Sequence, residues 1–231
     1  MGTEPAFDAE RFRRDARAVV DWIADYWTSV VDRPVQSQVE PGWVRSQLPE
    51  HPPESPEPLD AVLSDLDRVV LPGLTHWQHP GFLGYFPAST CGPSILGELL
   101  SAGLGVQGML WATSPACTEL ETLALDWLRE LVGLPERFAS RGPGGGVIQD
   151  SASSGSLCAI VAARERATAP REAGGDAQPA IGSLVAYAST ATHASVEKGL
   201  GIAGIGRDRL RRIPTGAAEA MDAAALAAAM E

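Results

Sequence analysis

The stretch VIQDSASSGSL, residues 147–157, passes from a short apolar run through a turn of small polar residues into helix-forming sequence. A β-rich run that leads straight into a helix is half of a crossover unit. Parallel strands need such units, because a hairpin turn cannot join them. The order repeats downstream: SLVAYAS predicts a strand, Ala194–Ala203 a helix, LRRIP a second strand, and DAAALAAAM the start of another helix. Upstream, Ser114 reads as an N-cap with Pro115 at the first helical position. Leu120, Leu123, Trp127, Leu128 and Leu131 form an apolar stripe that ends before Gly133. Val147-Ile148 predicts a strand, with a helix following from about Leu157 to Arg166, and the Ala-, Gly- and Pro-rich residues 167–182 read as a surface loop. From about Pro87 onward, then, the pattern is that of an α/β layer structure with a parallel sheet. The last helix stops at Glu231 without a capping residue, so the chain is expected to be part of a longer protein.

The first 85 residues carry a different pattern. Phe12, Ala16, Val19, Val20, Ile23, Trp27 and Val30 recur at helical spacing after a candidate cap at Asp8, with Phe7 and Phe12 placed as a hydrophobic staple. Pro34 ends that helix, and the proline-dense residues 35–58 predict an extended connector. A second helix is expected from Ser55, with Pro56 at its first position and Leu59, Val62, Leu63, Leu66 and Val70 on one face, up to Pro72-Gly73. Two helices and a strap cannot enclose a core. Residues 1–85 are therefore expected to form a dimerisation arm, and residues 86–231 a separate α/β domain.

Charge and composition narrow the partners. Eighteen Lys and Arg against 29 Asp and Glu give a formal charge of −11, which repels nucleic-acid phosphates and anionic membranes. No uncharged apolar run is long enough to span a bilayer and the N-terminus has no signal-peptide core, so a cytoplasmic location is expected. Cys91, Cys117 and Cys158 are widely spaced, with no CxxC pair, and predict free thiols and no metal site.

The turn Asp150-Ser151-Ala152-Ser153-Ser154-Gly155 offers hydroxyls and backbone N–H groups at a helix start, which suits an anion. It lacks the Gly-Lys-Ser/Thr of a Walker A loop, and Ser151 stands where a GxSxG elbow needs glycine. On its own it also fits an ordinary capped turn. His193 follows the next predicted strand, at the end where parallel sheets present ligands, and taken alone such a histidine is more often a structural side chain than a catalytic group. Trp77, Phe82, Tyr85 and Phe86 read either as core packing or as the wall of a pocket for a flat apolar substrate.

Five strings in order, LPGLTHWQHP, GFLGYFP, WATSPACTELE, GGGVIQDSAS and THASVEKG, resemble the group II pyridoxal-phosphate decarboxylases in their aromatic-amino-acid branch. The resemblance runs from about Phe12 to Pro214. It implies the three-layer large domain of fold type I (aspartate-aminotransferase-like) enzymes, incomplete here and preceded by a helical dimerisation arm. The cofactor implied is pyridoxal 5′-phosphate, and the reaction is decarboxylation of an aromatic L-amino acid to its amine within a homodimer. By the same likeness Ala152 and Ser153 hold the cofactor phosphate, while His193 stacks on the pyridine ring and serves catalysis. Trp77, Tyr85, Phe86, Pro87 and Ala88 line the substrate pocket, and Met109 lies near the partner subunit's pocket.

Departures from the family pattern are Ala88 for a threonine, Met109 for an aromatic residue, Asp150 for a small residue, and Ser154-Gly155 for a Glu-Ala pair. A carboxylate at Asp150 opposes phosphate binding unless it points away. The only lysine is Lys198, on a helix where relatives carry arginine, so it reads as a surface charge. The family's covalent lysine and the aspartate beside the pyridine nitrogen lie beyond residue 231. Two readings follow: this chain is one part of a working lyase, or it is an inactive paralogue that acts as a binding or dimerisation module.

Overall fold

The computed structural model describes residues 7–86, 90–169 and 180–231. They form two compact units, Met1–Leu104 and Gly105–Glu231.

In the first unit the Asp8 carboxylate accepts hydrogen bonds from the Glu10 and Arg11 amides and starts α1 (Ala9–Ser29). The Phe7 and Phe12 rings close the staple at 5.3 Å. The helix tightens through a 3-10 turn, Val30–Asp32, and ends where Arg33 becomes extended ahead of Pro34. Its half-buried stripe is Ala16, Val19, Trp22, Ile23, Tyr26 and Trp27. That stripe is held to later residues by specific bonds. The Trp22 indole donates to Asp67 at 3.0 Å, and the Tyr26 hydroxyl lies 3.0 Å from Nδ1 of the buried His76.

Two sequence expectations are corrected here. The connector contains one helical turn, α2 (Trp43–Ser46), which Gly42 makes possible by taking φ of 91° before it. The second helix starts after Pro58 instead of at Ser55: α3 spans Leu59–Asp65, widens into a π turn at Leu66–Val70 and closes at Leu71–Gly73. A residue that precedes proline is pushed out of the helical region, so Glu57 cannot join a helix ahead of Pro58. Val30, Val69 and Leu71 are the buried apolar residues of this unit. An apolar helix the sequence reading did not anticipate, α4 (Gly92–Leu104), follows.

In the second unit Ser114 caps α5 (Pro115–Leu131) by accepting from the Cys117 amide, and Gly133 takes φ of 71° just past its end. The apolar stripe of this helix faces outward. Leu120, Leu123, Trp127, Leu128 and Leu131 are all exposed, Leu131 at 83%. Cys117, Thr118, Glu121, Thr122, Leu125, Asp126 and Arg129 face the chain. Val147-Ile148 forms no strand; both residues are exposed, and no described strand lies beside them to complete a ladder. Helix α6 (Ala152–Thr168) starts before the expected Leu157, because Ser151 and Ser154 form a reciprocal capping box. Strand β1 (Ala186–Ser189) pairs in parallel with β2 (Leu210–Ile213), Ala186 opposite Leu210, and α7 (Ser195–Ile202) is the crossover. Leu200, Ala203 and Ile205 pack with Ile160, Val161 and Leu210 beneath this unit. Asp222 then caps α8 (Ala223–Met230).

Candidate functional site

The second unit carries two of the expected elements, one at the start of α6 and one in the β1–α7–β2 unit that follows it. At the start of α6, the Ser154 amide donates to Ser151 Oγ and the Ser151 amide to Ser154 Oγ, at 3.2 and 3.1 Å. The Gly155 amide is taken by the Ser151 carbonyl. The Ala152 and Ser153 amides and the Ser153 hydroxyl have no hydrogen-bond partner among the described residues, and all three are exposed. Two free amides and one hydroxyl at the positive end of a 17-residue helix are a donor set for a phosphate. The Asp150 carboxylate accepts the Ser154 hydroxyl at 2.5 Å, so the capping cluster itself engages it.

His193 sits beyond the carboxyl end of β1, immediately before α7. The Ser195 amide donates to its Nδ1 at 3.2 Å, with the Ser195 hydroxyl 3.0 Å away. An amide N–H only donates, so Nδ1 is the acceptor and the neutral ring carries its proton on Nε2. The ring is exposed, and Nε2 has no partner among the described residues. Lys198 lies exposed on α7, and Met109, in the same unit, is 74% exposed.

In the first unit Trp77 stacks on Phe82 at 4.9 Å and on Tyr85 at 5.6 Å, with interplanar angles of 24° and 9°. Tyr85 holds φ of 55°, an uncommon conformation for a bulky residue, and is 85% exposed. Phe86 stands almost fully exposed beside it. Pro87 and Ala88 lie outside the described residues.

The sequence reading missed three residues that shape the approach to α6. Arg129 donates to the Leu134 carbonyl, Asp126 accepts from the amide and hydroxyl of Ser140, and Glu121 accepts from the Ile148 amide. The Ser140 bonds hold the Asp126 carboxyl below the usual carboxylate range. The SPACTELE string carries a helix start and part of an apolar stripe as well as a family signature, none of which points to Glu121, Asp126 or Arg129. The available signal was the polar stripe at i, i+3 and i+4 running opposite its leucines.

A helix start with a phosphate-type donor set, followed by a β–α–β unit with a histidine past its first strand's carboxyl end, fits the way α/β domains present ligand-binding groups. Comparison with known proteins narrows this. The pyridoxal-dependent decarboxylase conserved domain matches residues 41–231, and the chain belongs to that family, whose cofactor is pyridoxal phosphate. It is similar to a phenylacetaldehyde synthase of Arabidopsis thaliana, 46% identical over 208 residues, 90% of this chain and 41% of that protein. An aromatic-L-amino-acid decarboxylase of Catharanthus roseus is 44% identical over 93% of this chain and 42% of its own length. The crystal structure of Catharanthus roseus tryptophan decarboxylase in complex with L-tryptophan superposes with a TM-score of 0.88 at 41% identity. It covers 98% of this chain and 47% of that one. The fold is accordingly that of the fold type I large domain, and the chain spans less than half the length of these relatives. Among the described residues, no helix is long and apolar enough to cross a membrane.

Proposed function

We propose that this chain contributes to the pyridoxal-phosphate-dependent decarboxylation of an aromatic L-amino acid. The observation that carries the reading is the unpartnered set of Ala152 N–H, Ser153 N–H and Ser153 Oγ at the start of α6. These groups bind the cofactor phosphate, replacing its water with preorganised donors. His193, held in one tautomer by Ser195, lays its ring against the pyridine and keeps an N–H on Nε2 toward the substrate. When bound, pyridoxal phosphate supplies the electron sink for the pair left by departing carbon dioxide. Trp77, Tyr85, Phe86, Pro87 and Ala88 take the flat side chain of the substrate and exclude water from it, with Met109 lying near the partner subunit's pocket.

The arm, residues 1–85, joins two copies in a cytoplasmic homodimer, and residues 86–231 form the cofactor domain. In support of the arm's role, Val20 and Trp27 of α1 and Ile95 and Leu96 of α4 line an apolar groove. A second reading rests on Lys198. It is the only lysine and is exposed on α7, away from the start of α6 in sequence, which suits an inactive module that binds phosphate compounds or dimerises.

The two readings part in one experiment. The protein purified from its source is weighed intact and incubated with pyridoxal phosphate and L-tryptophan, L-tyrosine, L-phenylalanine or L-dihydroxyphenylalanine. Carbon dioxide release with an amine product supports the decarboxylase, and release with an aldehyde product moves the reading to an aldehyde synthase. A sample of 24.3 kDa that releases no carbon dioxide leaves the binding module.

A further inference from the structure

Helix α5 turns a polar stripe toward the segment that follows it, and three of its side chains hold that segment at successive points. Arg129 Nη1 donates to the Leu134 carbonyl at 3.0 Å. Asp126 accepts from the Ser140 amide at 2.9 Å and the Ser140 hydroxyl at 2.6 Å. Glu121 Oε1 accepts from the Ile148 amide at 2.7 Å. As the chain advances from 134 to 148 its anchors step back from 129 to 121, so the segment returns antiparallel along the helix. Gly146 lets it lie close, since a Cβ there would come within 3.2 Å of Leu125.

The next residue is held by a different helix. The Cys158 thiol of α6 donates to Gln149 Oε1 at 3.4 Å, and a Cβ at Gly155 would lie 3.9 Å from the Gln149 side chain. Ile148 is thus tied to α5 through its amide and Gln149 to α6 through its side chain, so two consecutive residues carry the holds of both helices. The Glu121–Ile148 bond thereby tethers the chain four residues before Ala152 and restricts where the Ala152 and Ser153 donors can lie. Among the described residues no strand lies beside Ile148, so no backbone ladder among them duplicates this hold. The bond is short and charge-assisted, with the Glu121 side chain half-buried and Ile148 exposed.

We infer that Glu121 is a positioning residue for the phosphate cradle, acting through the Ile148 amide. The inference rests on the cofactor reading above for what the cradle holds, and on the hydrogen bonds alone for how it is held. Removing the acceptor frees the start of α6 and misplaces donors whose value depends on their geometry.

The test uses the full chain with Glu121→Ala and Glu121→Gln. Gln keeps a carbonyl acceptor at the same reach and removes only the charge. Pyridoxal phosphate affinity is measured by fluorescence titration, and amide hydrogen exchange is followed across residues 146–152 without ligand. The expected result is that Glu121→Ala weakens pyridoxal phosphate about tenfold and speeds exchange in that segment, while Glu121→Gln stays within about threefold of wild type on both. Unchanged exchange in Glu121→Ala overturns the inference, as does faster exchange with unchanged affinity or an equal loss in both variants. If the unsubstituted chain takes up no pyridoxal phosphate, the cofactor reading fails by itself. The exchange rates then still decide whether Glu121 holds the segment.

Discussion

Helices α1 and α5 are both amphipathic, 21 and 17 residues long, and they sit on the chain in opposite senses. Helix α1 half-buries aromatic and aliphatic side chains, and its bonds to later residues, Trp22 to Asp67 and Tyr26 to His76, are made by the polar tips of aromatic rings. Helix α5 leaves Leu120, Leu123, Trp127, Leu128 and Leu131 in solvent, half-buries Thr118, Glu121, Thr122, Leu125 and Asp126, and buries Arg129. Helical periodicity says which residues share a face, and it says nothing of which face the chain will cover. That is decided by what the following segment offers. After α1 come Val69 and Leu71; after α5 come the backbone groups of Leu134, Ser140 and Ile148, which need polar partners.

The same substitution at two leucines gives the widest separation between the regions. Leu71 is 3% exposed and Leu131 83%. Leu71→Ala is expected to cost about 3 kcal/mol in urea unfolding and Leu131→Ala less than about 0.5 kcal/mol. Equal costs would show that α5 buries its leucines.

Arg129 supplies the next largest effect. Its side chain is 10% exposed, but its partners Glu130 and Glu136 are open to solvent, so the ion pairs add little. Arg129→Leu leaves the Leu134 carbonyl without its side-chain donor, and about 1–2 kcal/mol of stability is expected to disappear although the helix gains an apolar residue.

Acid separates the two regions in a third way, expected to be smaller near neutral pH. Burial, helped by Arg33 and His79, pushes the His76 pKa below its ordinary value. A histidine kept neutral by folding lends stability that is complete above its unfolded pKa of about 6.5 and is lost as pH falls below it toward the folded value. Asp126 is shifted downward by Ser140, so its contribution is complete above about 3.9 and is lost only as pH falls through its lower folded value. Amide NMR signals around Tyr26 and His76 should therefore weaken between pH 7 and 5, while those of Ser140 persist. His76→Gln should remove that difference.

Much of the fold was legible because its signals are local. The Asp8 cap and Phe7 staple, the Pro34 stop, the Ser114-Pro115 start and the β1–α7–β2 order all depend on neighbours in sequence. What was not legible depends on pairing. Val147-Ile148 has strand composition, yet a strand exists only beside another. The start of α6 moved to Ala152 because Ser154 completes a capping box, a reciprocal bond that the usual Glu or Gln at that position would have announced. The site divides the same way. Ser153 in the first turn of α6 and His193 just ahead of α7 are positions that a local reading can name, whereas Glu121 lies 27 residues before the amide it holds, a distance that no short-range pattern crosses.

The account turns on the donors at the start of α6, and the most direct test is a titration of the full chain with pyridoxal phosphate, followed by absorbance and fluorescence. It is made in a Lys198→Arg background, so that the aldehyde cannot react with the one lysine side chain. One cofactor per chain is predicted to bind, with inorganic phosphate competing. Ser153→Glu, which sets a carboxylate where the phosphate belongs, should weaken binding by more than about tenfold, while Leu131→Ala leaves it unchanged. Binding in Ser153→Glu as tight as in the parent chain would contradict the account.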